Sequence, residues 1–281
     1  EIRTSIKLNN PTCWSPESPY LYFLFLRGWQ KGNVVSAAVE RFGFREMKVA
    51  GGRFYLNGKP VFLYGNSWSS ALWGGSGHPR ERVENAYRTA LADRANGYNI
   101  IRTSHQPGIP YLLDVCDEVG LMVMQEWCWS FLTNLAPEFE ANNLREVEEF
   151  ILEHYNRPCV TLWSMGNEII HANNPRVVEQ LKKQTALVRR LDGQKRPVSV
   201  FSGSAEWNAY GRTPLDTDVR DLHTYTTLRK AWTTLPDELD MLLKGDREIY
   251  GEKKASSLAY IAFETIGFGW GAGIPKDIGF Y

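Results

Sequence analysis

The chain is poor in the residues that build the most easily recognised sites. It has four cysteines and five histidines in 281 residues. Cys13, Cys116, Cys128 and Cys159 share no metal-ligand spacing, and buried free thiols are the expectation for them. His105 and His223 stand far apart with no paired-histidine spacing, so no metal site is expected. There is no Gly-x-Ser-x-Gly elbow, which removes the common serine-hydrolase arrangement. Gly51-Gly52 and Gly74-Gly75-x-Gly77 lack the Lys-Ser/Thr of a phosphate loop, and no cofactor is expected. An excess of either charge is missing too: 32 Lys and Arg balance 32 Asp and Glu. That balance argues against nucleic acid or an acidic membrane surface as a partner. No apolar run is long enough to span a bilayer, and no secretory signal is visible. The N-terminus reads like the middle of a β-domain, so an export signal could precede it and the compartment stays open.

Aromatic residues are abundant, with ten Trp, thirteen Tyr and thirteen Phe. Such rings stack on the apolar faces of sugars, and they also fill cores. Residues 1–46 read as the end of an all-β module. Tyr20 to Leu26 has strong β propensity, and Val34 to Phe44 follows the turn-prone Lys31-Gly32-Asn33. Asn57-Gly58 is a hairpin signal. After it the pattern alternates. Strands are expected at Val61–Gly65, Asn99–Thr103, Leu121–Gln125, Val160–Met165, Pro197–Phe201, Val219–Leu222 and Leu258–Phe263. Helices are expected at Arg80–Asn96, Ile109–Val119, Glu138–Tyr155, Pro175–Leu191 and Pro236–Leu243. Alternating β and α at this spacing means a parallel sheet with right-handed crossovers, an α/β (β/α)₈ barrel. Seven strands are countable. Either the barrel is incomplete in this chain or its closing strand is short and irregular.

Candidate chemistry collects at the predicted C-terminal ends of the strands, where barrels build their sites. Val160 to Met165 leads into Gly166-Asn167-Glu168, and Leu258 to Phe263 into Glu264. Two carboxyls at two strand ends are the minimum equipment for glycoside hydrolysis. Arg102 and His105 follow the second strand, Glu126 and Trp129 the third, His223 and Tyr225 the sixth, and Trp68 the first. Trp270, in the Gly-rich end, joins the candidate sugar-contacting residues. Any one of these is readily explained as a structural residue. Together they form a ring.

Trp14-Ser15-Pro16-Glu17-Ser18-Pro19-Tyr20-Leu21-Tyr22 resembles the end of the immunoglobulin-like β-sandwich of glycoside hydrolase family 2, and Phe42-Gly43-Phe44-Arg45 its junction strand. Asn57-Gly58-Lys59-Pro60-Val61 is similar to its barrel entry, and Ile101-Arg102-Thr103-Ser104-His105-Gln106-Pro107 to its strand-two motif. Trp163 to Glu168 resembles its acid/base motif, and Phe263-Glu264 its nucleophile position. The resemblance implies residues 1–46 as the end of the sandwich and 47–281 as the catalytic barrel. It also implies a retaining exo-β-glycosidase acting on a carbohydrate, β-galactosidase-like first, with β-mannosidase, β-glucuronidase or an endo-acting relative as alternatives. Glu168 would be the acid/base, Glu264 the nucleophile, Asn167 a partner of the sugar 2-hydroxyl and Tyr225 a support for the nucleophile. A homo-oligomer is compatible with the sequence. Gln125-Glu126-Trp127 is similar to the mannosidase branch, and Tyr64 stands where the family usually has Arg. A non-catalytic sugar-binding barrel is the competing reading, and intact Asn167, Glu168 and Glu264 argue against it.

Overall fold

A computed structural model describes residues 5–69, 79–131, 136–169, 174–203, 215–223 and 228–264. The first two strands, β1 (Tyr22–Gln30) and β2 (Asn33–Phe42), pair antiparallel around Lys31-Gly32, both with positive φ. That is the backbone a two-residue hairpin turn demands. Strands β3 (Met47–Ala50), β4 (Arg53–Leu56) and β5 (Lys59–Val61) form a small antiparallel sheet, and Asn57-Gly58 makes the second of its turns.

The barrel proper is a seven-stranded sheet. Its strands are β6 (Gly65–Ser69), β7 (Ile100–Ser104), β8 (Met122–Glu126), β9 (Val160–Ser164), β10 (Val198–Ser199), β11 (Val219–His223) and β12 (Ala259–Glu264). They lie in chain order and every adjacent pair is parallel. The crossovers include α1 (Pro79–Ala95), α2 (Pro110–Val119), α3 (Pro137–Glu153), α4 (Pro175–Leu191), α5 (Leu228–Tyr250) and the short α6 (Glu252–Ala255). The sheet curls until β12 approaches β6, although among the described residues no hydrogen-bond ladder joins them. Over the described residues this is a partial (β/α)₈ barrel. Strands β7, β8, β9 and β11 are buried along their whole length, as strands covered on both faces must be.

Two expectations need correction. The first barrel strand is Gly65–Ser69 and not Val61–Gly65, because the Asn57-Gly58 turn draws Lys59–Val61 into the antiparallel sheet. The helix expected at Pro236–Leu243 runs from Leu228 to Tyr250 and passes straight through Pro236, which the sequence marks as a start. Among the described residues no helix is long and apolar enough to cross a membrane.

The small sheet covers the N-terminal mouth of the barrel. Met47, Phe54 and Leu56 join the main core, and the Gly52 turn abuts the carbonyls of Ser256 and Leu258 just before β12. The N-terminal segment is clamped on the same side. Trp14 is fully buried and its indole donates to the Asp117 carbonyl at 2.8 Å. Arg45 reaches the carbonyls of Pro158 and Val160 at the foot of β9, and Arg41 meets Asp114, Asp117 and Glu118 on α2. The opposite, C-terminal mouth is thus left for the site.

Gly65 opens β6 where the backbones crowd. A Cβ there would lie 1.8 Å from the Ile100 carbonyl oxygen. Gly65→Ala should therefore destabilise the protein by about 3 kcal/mol through forced backbone displacement. Urea unfolding measures this, and an unchanged midpoint would contradict the packing described.

Candidate active site

Side chains alternate along each strand, so residues two apart share a face. On β7 the inward residue is Arg102 and on β8 it is Glu126; both are completely buried. Their ion pair is bidentate, Nε to Oε2 at 2.8 Å and Nη2 to Oε1 at 2.9 Å. Fork-to-carboxylate geometry is the strongest form of this contact. Ser164 of β9 donates its hydroxyl to Glu126 Oε2 at 2.9 Å, and the Glu126 amide donates to Thr103 Oγ1. Arg102 Nη2 also donates to Asn167 Oδ1 at 2.6 Å. His105 sits at the rim, with Nδ1 3.3 Å from Arg102 Nη2 and 3.4 Å from Glu126 Oε1. Its ring is partly exposed and faces Phe131.

Beyond β9 the chain is pinned from both sides. Asn167 donates its amide N–H to the Trp129 carbonyl, and Glu168 donates its own to the Ser202 carbonyl. Asn167 Nδ2 donates to Ser130 Oγ at 3.2 Å. With Oδ1 on Arg102, the Asn167 amide has a fixed orientation. Glu168 adopts φ of 41°, a left-handed conformation that costs a non-glycine residue energy. Its carboxyl is nearly buried and its Oε1 lies 2.7 Å from His223 Nδ1.

His223 ends β11. Its Nε2 lies 2.8 Å from Ser202 Oγ and 3.6 Å from Asp221 Oδ2, and Ser202 Oγ donates a short hydrogen bond to Asp221. Burial pushes the imidazole down, but its interactions with Asp221 and Glu168 outweigh burial and raise it to about 10. His223 is an imidazolium at neutral pH. Glu264 is described by its backbone, which pairs in register with His223 at the end of β12.

The structure therefore gathers Arg102, His105, Glu126, Asn167, Glu168 and His223 at one mouth, with the backbone of Glu264 beside them. Trp68 is not among them. It faces outward, buried, with its indole donating to Asp93 of α1 at 2.7 Å. The Trp129 ring packs edge-on against Phe139 of α3, and its carbonyl accepts from the Asn167 amide at the mouth. Tyr225 and Trp270 lie outside the described residues. Ser130, Ser164, Ser202 and Asp221 were not anticipated. Asp221 was within reach of the pattern, since it stands two residues before His223 on a strand and must share its face.

A parallel barrel with carboxylate residues at or beyond the C-terminal ends of two strands, braced by a buried Arg–Glu pair, is the arrangement in which TIM barrels place their active sites. Residues 47–231 match the profile "Glycosyl hydrolases family 2, TIM barrel domain" and residues 1–45 match "Glycosyl hydrolases family 2". The chain belongs to glycoside hydrolase family 2. It is 26% identical over 274 residues to a beta-galactosidase of Pseudoalteromonas haloplanktis, covering 85% of this chain and 23% of the relative. It is 32% identical over 171 residues to a beta-galactosidase of Thermoanaerobacter pseudethanolicus, covering 59% of this chain and 22% of that protein. The chain thus spans about a quarter of the length of these curated relatives. The b-glucuronidase from Ruminococcus gnavus shares the fold at a TM-score of 0.75 and 22% identity, over 91% of this chain and 44% of that one.

Two outcomes follow from the geometry. Arg102→Met should cost about 3–5 kcal/mol because it strands a buried carboxylate, and adding Glu126→Gln should recover much of the loss. Equal denaturation midpoints for the single and double variants would contradict this. His223 holds its proton in the folded protein above the ordinary value of 6.5. Its contribution to stability is complete below that value and is lost as the pH rises through about 10. The stability gap between the parent and His223→Gln should narrow across that window, and a gap that widens would refute the imidazolium.

Proposed function

We propose that the chain carries the catalytic barrel of a retaining, exo-acting β-glycosidase, with residues 47–281 as the catalytic domain and residues 1–46 as the end of a β-sandwich. The observation that carries this reading is the meeting at His223 of Glu168 and Glu264, one through its side chain and the other through its backbone register. In this reading Glu264 attacks the anomeric carbon while Glu168 passes its proton to the glycosidic oxygen. The aglycone leaves and a glycosyl ester forms on Glu264. Water then attacks the same carbon, the ester bond breaks, and Glu168 takes the proton that the water loses.

The surrounding residues have roles that follow from their contacts. Asn167, oriented by Arg102, offers its amide to the sugar 2-hydroxyl. Glu126, whose two oxygens are taken by Arg102 and Ser164, acts by holding Arg102 in place. His105, at the exposed rim of the same network, is placed for a further sugar hydroxyl. Tyr225 is proposed to support the nucleophile, and Trp270 to stack on the sugar. Relatives named beta-galactosidase support a galactoside as the first substrate to try.

A panel of nitrophenyl β-galactoside, glucuronide and mannoside tests the substrate. Glu264→Ala should lower kcat by several orders of magnitude, at least about 5 kcal/mol of barrier. Azide should restore turnover in that variant with product of inverted configuration. Glu168→Ala should instead spare the first step for substrates with acidic leaving groups, which need little protonation. A 2-fluoro sugar that labels a residue other than Glu264 would overturn the choice of nucleophile.

A further inference from the structure

The chain of contacts behind Glu168 does not end at His223. Ser202 Oγ has one proton, and it is directed at Asp221. With that proton engaged, the remaining lone pairs of Ser202 Oγ face His223 Nε2 at 2.8 Å and take its N–H. The other ring nitrogen then lies 2.7 Å from Glu168 Oε1. Both nitrogens are donors only in the imidazolium form. All four residues are buried: Ser202 and Asp221 show no exposed surface, His223 2% and Glu168 9%. Gly203 keeps the contact open. A Cβ at that position would sit 3.0 Å from His223 Nδ1 and 3.1 Å from Glu168 Cγ, and its φ of 74° suits glycine.

We propose that Ser202 and Asp221 are positioning residues for acid/base catalysis: through His223 they hold Glu168 by one oxygen and favour the carboxylate form that the water-activating second step needs. This rests on the assignment of Glu168 as acid/base. Among the described residues the groups facing His223 are Glu168 from the turn after β9, Asp221 from its own strand, Ser202 from beyond β10, and Arg102 from β7, whose charge opposes the imidazolium. The backbone of Glu264 adjoins it from β12. Glu126 already pairs with the Arg102 guanidinium, so the His223 imidazolium is the one cation placed between Glu168 and Asp221. In the first step the negative Glu264 favours the protonated Glu168 that the leaving oxygen requires. Once Glu264 is esterified that negative charge is gone, and the charged N–H of His223 faces Glu168 as it must turn into a base.

The variants Asp221→Asn and Ser202→Ala test this on the full chain with 2,4-dinitrophenyl β-galactoside and β-glucuronide, whose departure needs no acid. Asp221→Asn should leave kcat/KM within about threefold but lower kcat about tenfold near pH 5.5, moving the acid limb of kcat to higher pH. Azide, which needs no base, should restore the lost kcat. Ser202→Ala should show the same direction with a smaller loss. Nitrogen-15 imidazole spectra, assigned by difference from His223→Gln, should show His223 doubly protonated near pH 8 in the parent and singly protonated in Asp221→Asn. A parent His223 that is singly protonated near pH 8 overturns the proposal even if Asp221→Asn fails to fold. So does a kcat profile that Asp221→Asn and Ser202→Ala leave in place while Glu168→Ala still shows its leaving-group dependence and azide response. If Glu168→Ala shows neither of those, the acid/base assignment itself falls.

Discussion

The buried ion pair between Arg102 and Glu126 is the constraint around which the mouth of the barrel is arranged. Neither charge touches water. Such a pair is tolerable only if its remaining hydrogen-bonding capacity is met. Ser164 completes Glu126 and Asn167 occupies Arg102, so β7, β8, β9 and the turn after β9 are tied together at their C-terminal ends. The backbone of Asn167 and Glu168 is then fixed between Trp129 and Ser202. The candidate acid/base is therefore placed by a lattice of polar contacts whose centre is two strands away from it. A second polar cluster, from Asp221 to His223, meets the same carboxyl from the other side.

Strand alternation separates this work from the work of stability. The outward residues of the same strands bond to the helical layer. Trp163 donates to Asp192, over which Arg196 closes an ion pair while its guanidinium stacks 4.3 Å from the indole. Gln125, one residue before Glu126, turns away to hold the Gly108 loop and Thr103. Arg220, next to Asp221, pairs with Asp246 of α5. Polar residues are thus buried on both faces of the sheet, and which face a residue occupies decides whether it braces the scaffold or meets the mouth.

Much of this was legible in the sequence. The apolar stretches Ile100-Ile101, Leu121 to Met124 and Leu162-Trp163 announce strands covered on both sides, and Pro175 marks the start of α4 because its missing N–H costs nothing there. Arg102, Glu126, Asn167 and Glu168 could be named because each follows such a stretch, and His223 because it follows the expected strand Val219–Leu222. The errors have physical causes. Gly65-Asn-Ser-Trp-Ser is too polar to read as a buried strand, while the apolar Val61 to Leu63 nearby invites that reading. Trp68 looked like a sugar platform because it ends a strand, but its parity puts it outward against Asp93. Ser202 and Ser164 could not be singled out, since a serine acquires its meaning only from the partners that the fold supplies.

Glu168 lies in left-handed backbone space, on a turn held by amide hydrogen bonds from Asn167 to Trp129 and from Glu168 to Ser202. Glycine or asparagine would hold that turn with less strain, roughly 1 kcal/mol less for glycine. The fold and the proposed chemistry thus prefer different residues at one position. Selection for robustness alone would drift toward a firmer barrel that has lost its acid. A related chain that keeps every brace around position 168 but carries glycine there would be recognisable as a scaffold released from turnover, and it should outlast its active counterpart on heating.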